Sequence, residues 1–270
     1  MLILLSPAKN MNFDDAPQGL SPTVPEFLKD ARELAAAARA LSAARLAKLM
    51  DISPKLAELN HQRFQAFRGD GKSNVQKPAA LAFNGDVYLG LDARTMTADD
   101  FAYAQRHVRI LSGLYGLLRP LDAIEPYRLE MCSDLKTPRG KNLYEFWGDS
   151  LAKAINRDVA AHEDRTIVNL ASNEYFSAAA AAALEFPVVT MSFKEEKGGK
   201  LRSLQFFAKR ARGLMARWAI DNRISRAEDL KRFSAGGYKF CAKESGERDW
   251  LFTRPQPPAK GARSARVESD

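Results

Sequence analysis

Lys9, Glu130 and Glu174 carry the side chains best suited to acid–base or covalent work and are among the polar residues at predicted strand ends. A desolvated lysine acts as a base or forms a Schiff base, and a nearby carboxyl supplies or takes the proton. Ser6, Asp86, Tyr88, Ser112, Tyr115, Asn169, Ser172 and Tyr175 occupy comparable places and complete a candidate polar pocket. The densest stretch is Val108 to Met131, VRILSGLYGLLRPLDAIEPYRLEM. Its glycines, Gly113 and Gly116, leave backbone N–H groups uncovered, so an anion can approach closely. Arg119 and Arg128 can pair bidentately with that anion. The same Gly and Pro residues also suit a plain loop after a strand.

The elements that must position these residues follow from pattern. Met1 to Leu5, Val108 to Leu111, Thr166 to Ala171 and Phe186 to Lys194 read as strands, the first a short apolar one and the next two of the buried type. Helices are expected from Glu26 to Leu41, from Ser42, from Ser53-Pro54 with serine as cap, from Thr97 with Asp100 as a capping box, and from Asn142 to about Ala161. In the first three, Phe27, Leu28, Leu34, Leu46, Leu49, Leu56, Leu59 and Phe64 are the expected core. Asn84-Gly85 between apolar flanks signals a hairpin, which would put Asp86 and Tyr88 at a turn or at a pocket edge. Strands alternating with helices predict an α/β protein: one compact domain, residues 1–254, with a central mixed sheet flanked by helices. The polar tail, residues 255–270, is expected to be disordered.

At 270 residues and 46% hydrophobic, the chain can bury a sizeable core. No apolar run is long enough to span a bilayer, and no signal peptide is read at the start, so a cytoplasmic protein without a membrane partner is expected. Two cysteines and three scattered histidines suggest no metal site, and no cofactor motif occurs.

The net charge of +8 is concentrated in one segment. Lys194 to Arg232 holds 12 Lys/Arg against 5 Asp/Glu. At 100° per residue, a helix from Gln205 to Arg223 sets Phe207, Ala211, Leu214, Met215 and Trp218 on a core face. Lys209, Arg210, Arg212, Arg217 and Arg223 then fall opposite, and with Lys194 and Lys200 they suit a polyanion. Ser225 with Glu228 reads as a capping box for a second helix to Phe233, so the pair resembles a helix-hairpin-helix unit.

Six segments in order, LSPAKN, FNGDVYLGLDA, ILSGLYGLLRPLDAIEPYRLEM, NLYEFWGD, NLASNEYF and AKRARGLMARW, resemble the YaaA family of peroxide stress proteins. The likeness runs from Leu5 to about Phe240, with Asn10 where a threonine is expected. It implies a single α/β domain that binds double-stranded or branched DNA through a basic cleft and a helix-hairpin-helix element. It also implies a protective role against hydrogen peroxide by limiting free iron. The helix-hairpin-helix would lie at Ile110 to Asp122 or at Gln205 to Phe233. The competing expectation is an enzyme acting on a nucleobase, nucleotide or DNA through the polar pocket; a monomer is expected on either reading.

Overall fold

The computed structural model describes residues 1–14, 19–70, 73, 75–179 and 181–258. Its strands are β1 (Leu2–Leu5), β2 (Asn10–Met11), β3 (Lys77–Pro78), β4 (Phe83–Asn84), β5 (Val108–Ser112), β6 (Gly116–Leu118), β7 (Ala123–Ile124), β8 (Ile167–Leu170), β9 (Val188–Lys197), β10 (Lys200–Arg202), β11 (Lys239–Phe240) and β12 (Asp249–Pro255). The α-helices are α1 (Leu28–Arg39), α2 (Ala43–Met50), α3 (Pro54–Ala66), α4 (Ala79–Ala82), α5 (Asp86–Leu91), α6 (Ala98–His107), α7 (Leu143–Trp147), α8 (Ser150–Ala160), α9 (Asn173–Ser177) and α10 (Gln205–Asp221).

Eight strands form one mixed sheet in the order β11-β12-β9-β8-β1-β5-β6, with β10 paired to β9. Within it β12, β9, β8, β1 and β5 are mutually parallel. Numbered by appearance these five run 5-4-3-1-2, the order of a doubly wound sheet whose direction of build reverses between its first and third strands. Those strands are β1 and β8, held in register from Leu2 opposite Ile167 to Leu5 opposite Leu170. β1 is apolar throughout and fully buried, as a central parallel strand covered on both faces must be. β9 alternates buried and half-buried residues, so it turns one face to the core.

The serine caps at Ser42 and Ser53 and the Thr97–Asp100 capping box form as the sequence predicts. Among the expected core residues of the first three helices, Leu34, Leu46 and Phe64 are fully buried, whereas Leu59 is exposed. Asn84-Gly85 does not turn a hairpin. Asn84 ends β4, which pairs with β2, and extended Gly85 stands at the start of α5. The helix expected from Asn142 to Ala161 breaks at Gly148 into α7 and α8.

Neither helix-hairpin-helix candidate is a pair of α-helices. Ile110 to Asp122 contains the β5–β6 hairpin, and α10 is followed by one 3₁₀ stretch, Ala227–Arg232. The Ser225–Glu228 box does not form; Arg226 stands at the cap position, and Asp164, distant in sequence, accepts from the Ala227 N–H at 2.6 Å. Pro255 closes β12, and the expected tail lies outside the described residues from 259 onward. Among the described residues, no helix is long and apolar enough to cross a membrane.

Candidate functional site at the carboxyl edge of the sheet

Parallel strands deliver their carboxyl ends to one edge, and ligands of such sheets bind there, where the strand order reverses. At that place in this chain the loops after β1 and β8 are tied together. Ser6 Oγ accepts from the Ser172 N–H at 2.8 Å and lies 3.3 Å from Ser172 Oγ. Ser172 precedes α9, yet its hydroxyl does not cap that helix. The Tyr88 hydroxyl donates to the Ser6 carbonyl at 3.0 Å, which fastens α5 to the same point. Asp86 lies in the first turn of α5. Buried Asn169 braces the loop, accepting from the Ala171 N–H at 2.9 Å.

A charged group lies beside these serines. Lys9 Nζ is 2.5 Å from Glu130 Oε2, and Arg128 donates to the other oxygen at 2.9 Å. Two cations therefore hold the Glu130 carboxylate between them. Arg128 keeps a buried Nε with no partner among the described residues. Glu174 accepts from the Cys132 N–H at 3.4 Å. The ligand atoms of Glu130, Cys132 and Glu174 all lie within 4.8 Å of one another, a donor set that could hold a divalent ion. Burial, and then the Glu174 and Glu130 carboxylates, push the Cys132 thiol up, so the thiol holds its proton. Spacing did not reveal this group, because Cys132 and Glu174 come from different elements. The available signal was Glu130-x-Cys132, which puts both on one side of an extended segment.

The phenols of Tyr88, Tyr127 and Tyr175 are all pushed up, chiefly by burial. Tyr127 adds to the effect on the other two, so the rings lie close together. They are held as protonated donors. Ser112 meets the Tyr127 hydroxyl at 2.6 Å, which links β5 to the same cluster. The edge thus combines an exposed ammonium, two serine hydroxyls, phenol donors and a clamped carboxylate. Such a set can bind and orient a polar or anionic ligand.

Other predicted residues turn out to be framework. Tyr115 accepts from the Glu125 N–H at 2.9 Å, and Glu125 in turn accepts from the N–H groups of Arg68 and Gly69. Gly113 and Gly116 are buried and present no amides to a phosphate. A side chain at Gly113 would strike the Leu129 carbonyl, and one at Gly116 would strike Trp147. Arg119 is committed to Asp122 at 2.9 Å and to the Val24 carbonyl at 2.9 Å.

The basic segment divides into two parts. Arg217 pairs with Asp221 at 2.7 Å and donates to Thr95 Oγ1 at 2.6 Å; Arg223 pairs with Asp100 at 2.7 Å. Lys231 and Arg232 pair with Glu228 and Asp229. Arg212 departs most from expectation. It lies on the inward side of α10, among Ala208, Met215 and Ala219, with a buried Nε that has no partner among the described residues. Burial lowers its pKa. Lys194, Lys197, Lys200, Arg202, Lys209 and Arg210 make no ion pair among the described residues. They belong to the end of β9, the β9–β10 hairpin and the start of α10. Because β9 runs parallel to β8, these cations emerge at the same edge as Ser6 and Ser172.

A family model described as peroxide stress protein YaaA matches residues 1–244. A UPF0246 protein of Maricaulis maris is 54% identical over 265 residues, covering 98% of this chain and all of that protein. One of Phenylobacterium zucineum is 54% identical over 262 residues, 97% of this chain and 98% of that protein. A third, from Caulobacter sp. strain K31, is 55% identical over 257 residues, 95% of this chain and the whole relative. With a match of that extent across a sheet, a strand-end site and a basic edge all drawn from the matched region, the chain belongs to the YaaA family of peroxide stress proteins.

Proposed function

We propose that this protein serves the peroxide stress response by binding DNA along the carboxyl edge of its sheet, sparing DNA from oxidation and keeping free iron low. One observation carries the DNA-binding part: six cations without ion-pair partners among the described residues gather on the edge that also holds the polar pocket. Clustered like charges repel one another, and a phosphate backbone relieves that repulsion. The late part of α10 contributes little, because its cations are already paired. The test is binding to a labelled duplex over a range of salt. The triple variant K200A/K209A/R210A should lose affinity for all sequences alike and flatten the slope of log K against log salt by about 2–3, near 0.9 for each phosphate left without its cation. Unchanged affinity and slope would exclude this surface as the DNA-binding face. The iron component predicts a larger free-iron signal after peroxide in cells lacking the protein; an equal signal contradicts it.

A second reading has its own support. Ser6, Lys9, Tyr88, Arg128, Glu130, Ser172, Glu174 and Tyr175 converge where the strand order reverses, as an enzyme acting on a nucleobase or nucleotide requires. Thermal-shift screening with nucleosides and nucleotides separates the two readings. A ligand that raises the melting temperature of the native protein and not of K9A/E130Q favours an enzyme.

A further inference from the structure

Phe206 is the aromatic ring among the exposed large hydrophobic side chains of the described residues. It sits in the first turn of α10 with half of its side chain exposed, at 50%. Its ring meets that of Phe207 edge-on, with centroids 5.5 Å apart, and Phe207 lies under the Arg254 guanidinium at 4.8 Å. The ring is thus braced from below while its outer surface stays bare.

The charged side chains near the ring are mostly cationic. Lys209 and Arg210 follow Phe206 by three and four residues, so they share its face of the helix. No acid lies in the first turn of α10. Lys197 and Lys200 stand directly opposite each other across the β9–β10 hairpin, a pairing of like charges that destabilises a ladder unless an anion bridges it. Arg202 is opposite Glu195, but that carboxylate is fully buried and accepts from the Tyr238 hydroxyl, so it does not neutralise the surface. Glu196 is the acid left exposed on this hairpin, and it faces Leu201.

We infer that this patch binds single-stranded DNA, with Phe206 stacked on an unpaired base and Lys209, Arg210 and the hairpin lysines on the flanking phosphates. The inference rests on the reading that the carboxyl edge binds DNA, and it narrows the partner. A duplex offers phosphates to the cations but covers the faces of its bases, leaving the aromatic ring without use. An unpaired base offers both, and every base has a face to stack.

The experiment compares fluorescence-anisotropy titrations of the full chain with an oligothymidylate of about 20 nucleotides and a duplex of similar length. F206A should weaken oligothymidylate binding by about 5- to 100-fold, the range typical of losing one base–aromatic stack, and leave duplex binding within about twofold. F206W should keep the affinity, and its added indole fluorescence should be quenched by the oligonucleotide. Because Phe206 is a surface residue, an unchanged melting temperature certifies that the variants are folded. The inference is overturned if F206A leaves oligothymidylate binding unchanged, or weakens single strand and duplex equally. If the native protein binds neither probe, the DNA reading itself falls; if it binds duplex and F206A is silent on both probes, only the stacking role falls.

Discussion

The two edges of the one sheet invite opposite readings. At the amino edge lies a cavity of 430 Å³, lined by Glu163, Asp164, Thr166, Glu228, Glu247 and Trp250 among others. Yet its best-placed acid holds backbone. Asp164 accepts from the N–H and hydroxyl of Thr166 and from the N–H of Ala227, closing the loops beneath β8 and after α10. At the carboxyl edge side chains meet side chains: Lys9 with Glu130, Arg128 with Glu130, Ser6 with Ser172, Ser112 with Tyr127. Volume alone would direct attention to the amino edge. The convergence of polar side chains where the strand order reverses is the better guide.

The contrast can be broken most forcefully through the helix that carries Tyr88 to the carboxyl edge. α5 crosses α10 with Gly90 and Gly213 against each other's backbone, and a Cβ at Gly213 would run into the Val87 carbonyl. Gly213→Val should cost about 3 kcal/mol or more in urea denaturation, because neither backbone can yield without separating the helices. A loss below about 1 kcal/mol would mean that the crossing is loose and that Tyr88 is not rigidly placed.

A smaller effect should appear at the amino edge on acidification. His107 stacks on Tyr103, its ring centroid 4.2 Å away, and its Nδ1 lies 3.0 Å from the Met1 carbonyl. Burial is the main cause that depresses its pKa to about 4. The unfolded chain therefore binds the proton first. The contribution is present above pH ~6.5 and is lost as pH falls toward 4. Since the ring is partly open to solvent, the loss between pH 7 and pH 5 should be on the order of 1 kcal/mol. H107N should flatten that dependence; an equally steep curve would place the sensitivity elsewhere.

The mildest test touches the carboxyl edge without unfolding anything. Glu174→Gln removes a charge that helps to keep the Cys132 thiol protonated, so alkylation by iodoacetamide near pH 8 should quicken several-fold at constant stability. An unchanged rate would show that burial and Glu130, rather than Glu174, set the thiol's reactivity.

Much of the frame was legible because its causes are local. The runs LILL, VRIL and TIVNL have few places to go except the middle of a parallel sheet. Ser42, Ser53 and Thr97 cap helices through contacts three residues away. The misreadings share a distant cause. Asn84 pairs with Asn10 across 74 positions, so a local hairpin rule could not apply. Arg212 went to the wrong face of its helix because Phe207 and Trp218 dominate a hydrophobic pattern, while the buried Ala208, Ala216 and Ala219 weigh little in it. The cations of the late basic segment looked unopposed, but the acid opposite Arg223 comes from Asp100.

The arrangement of β1 has a consequence for how the molecule is made. Ile3 sits between Val108 and Val168, so the middle of the sheet is synthesised long before either neighbour exists. Until both arrive, four aliphatic residues wait as a sticky, unclaimed ribbon, and closing such long chain loops slows folding. A protein assembled this way should depend on holding chaperones while on the ribosome, in cells already stressed by oxidant.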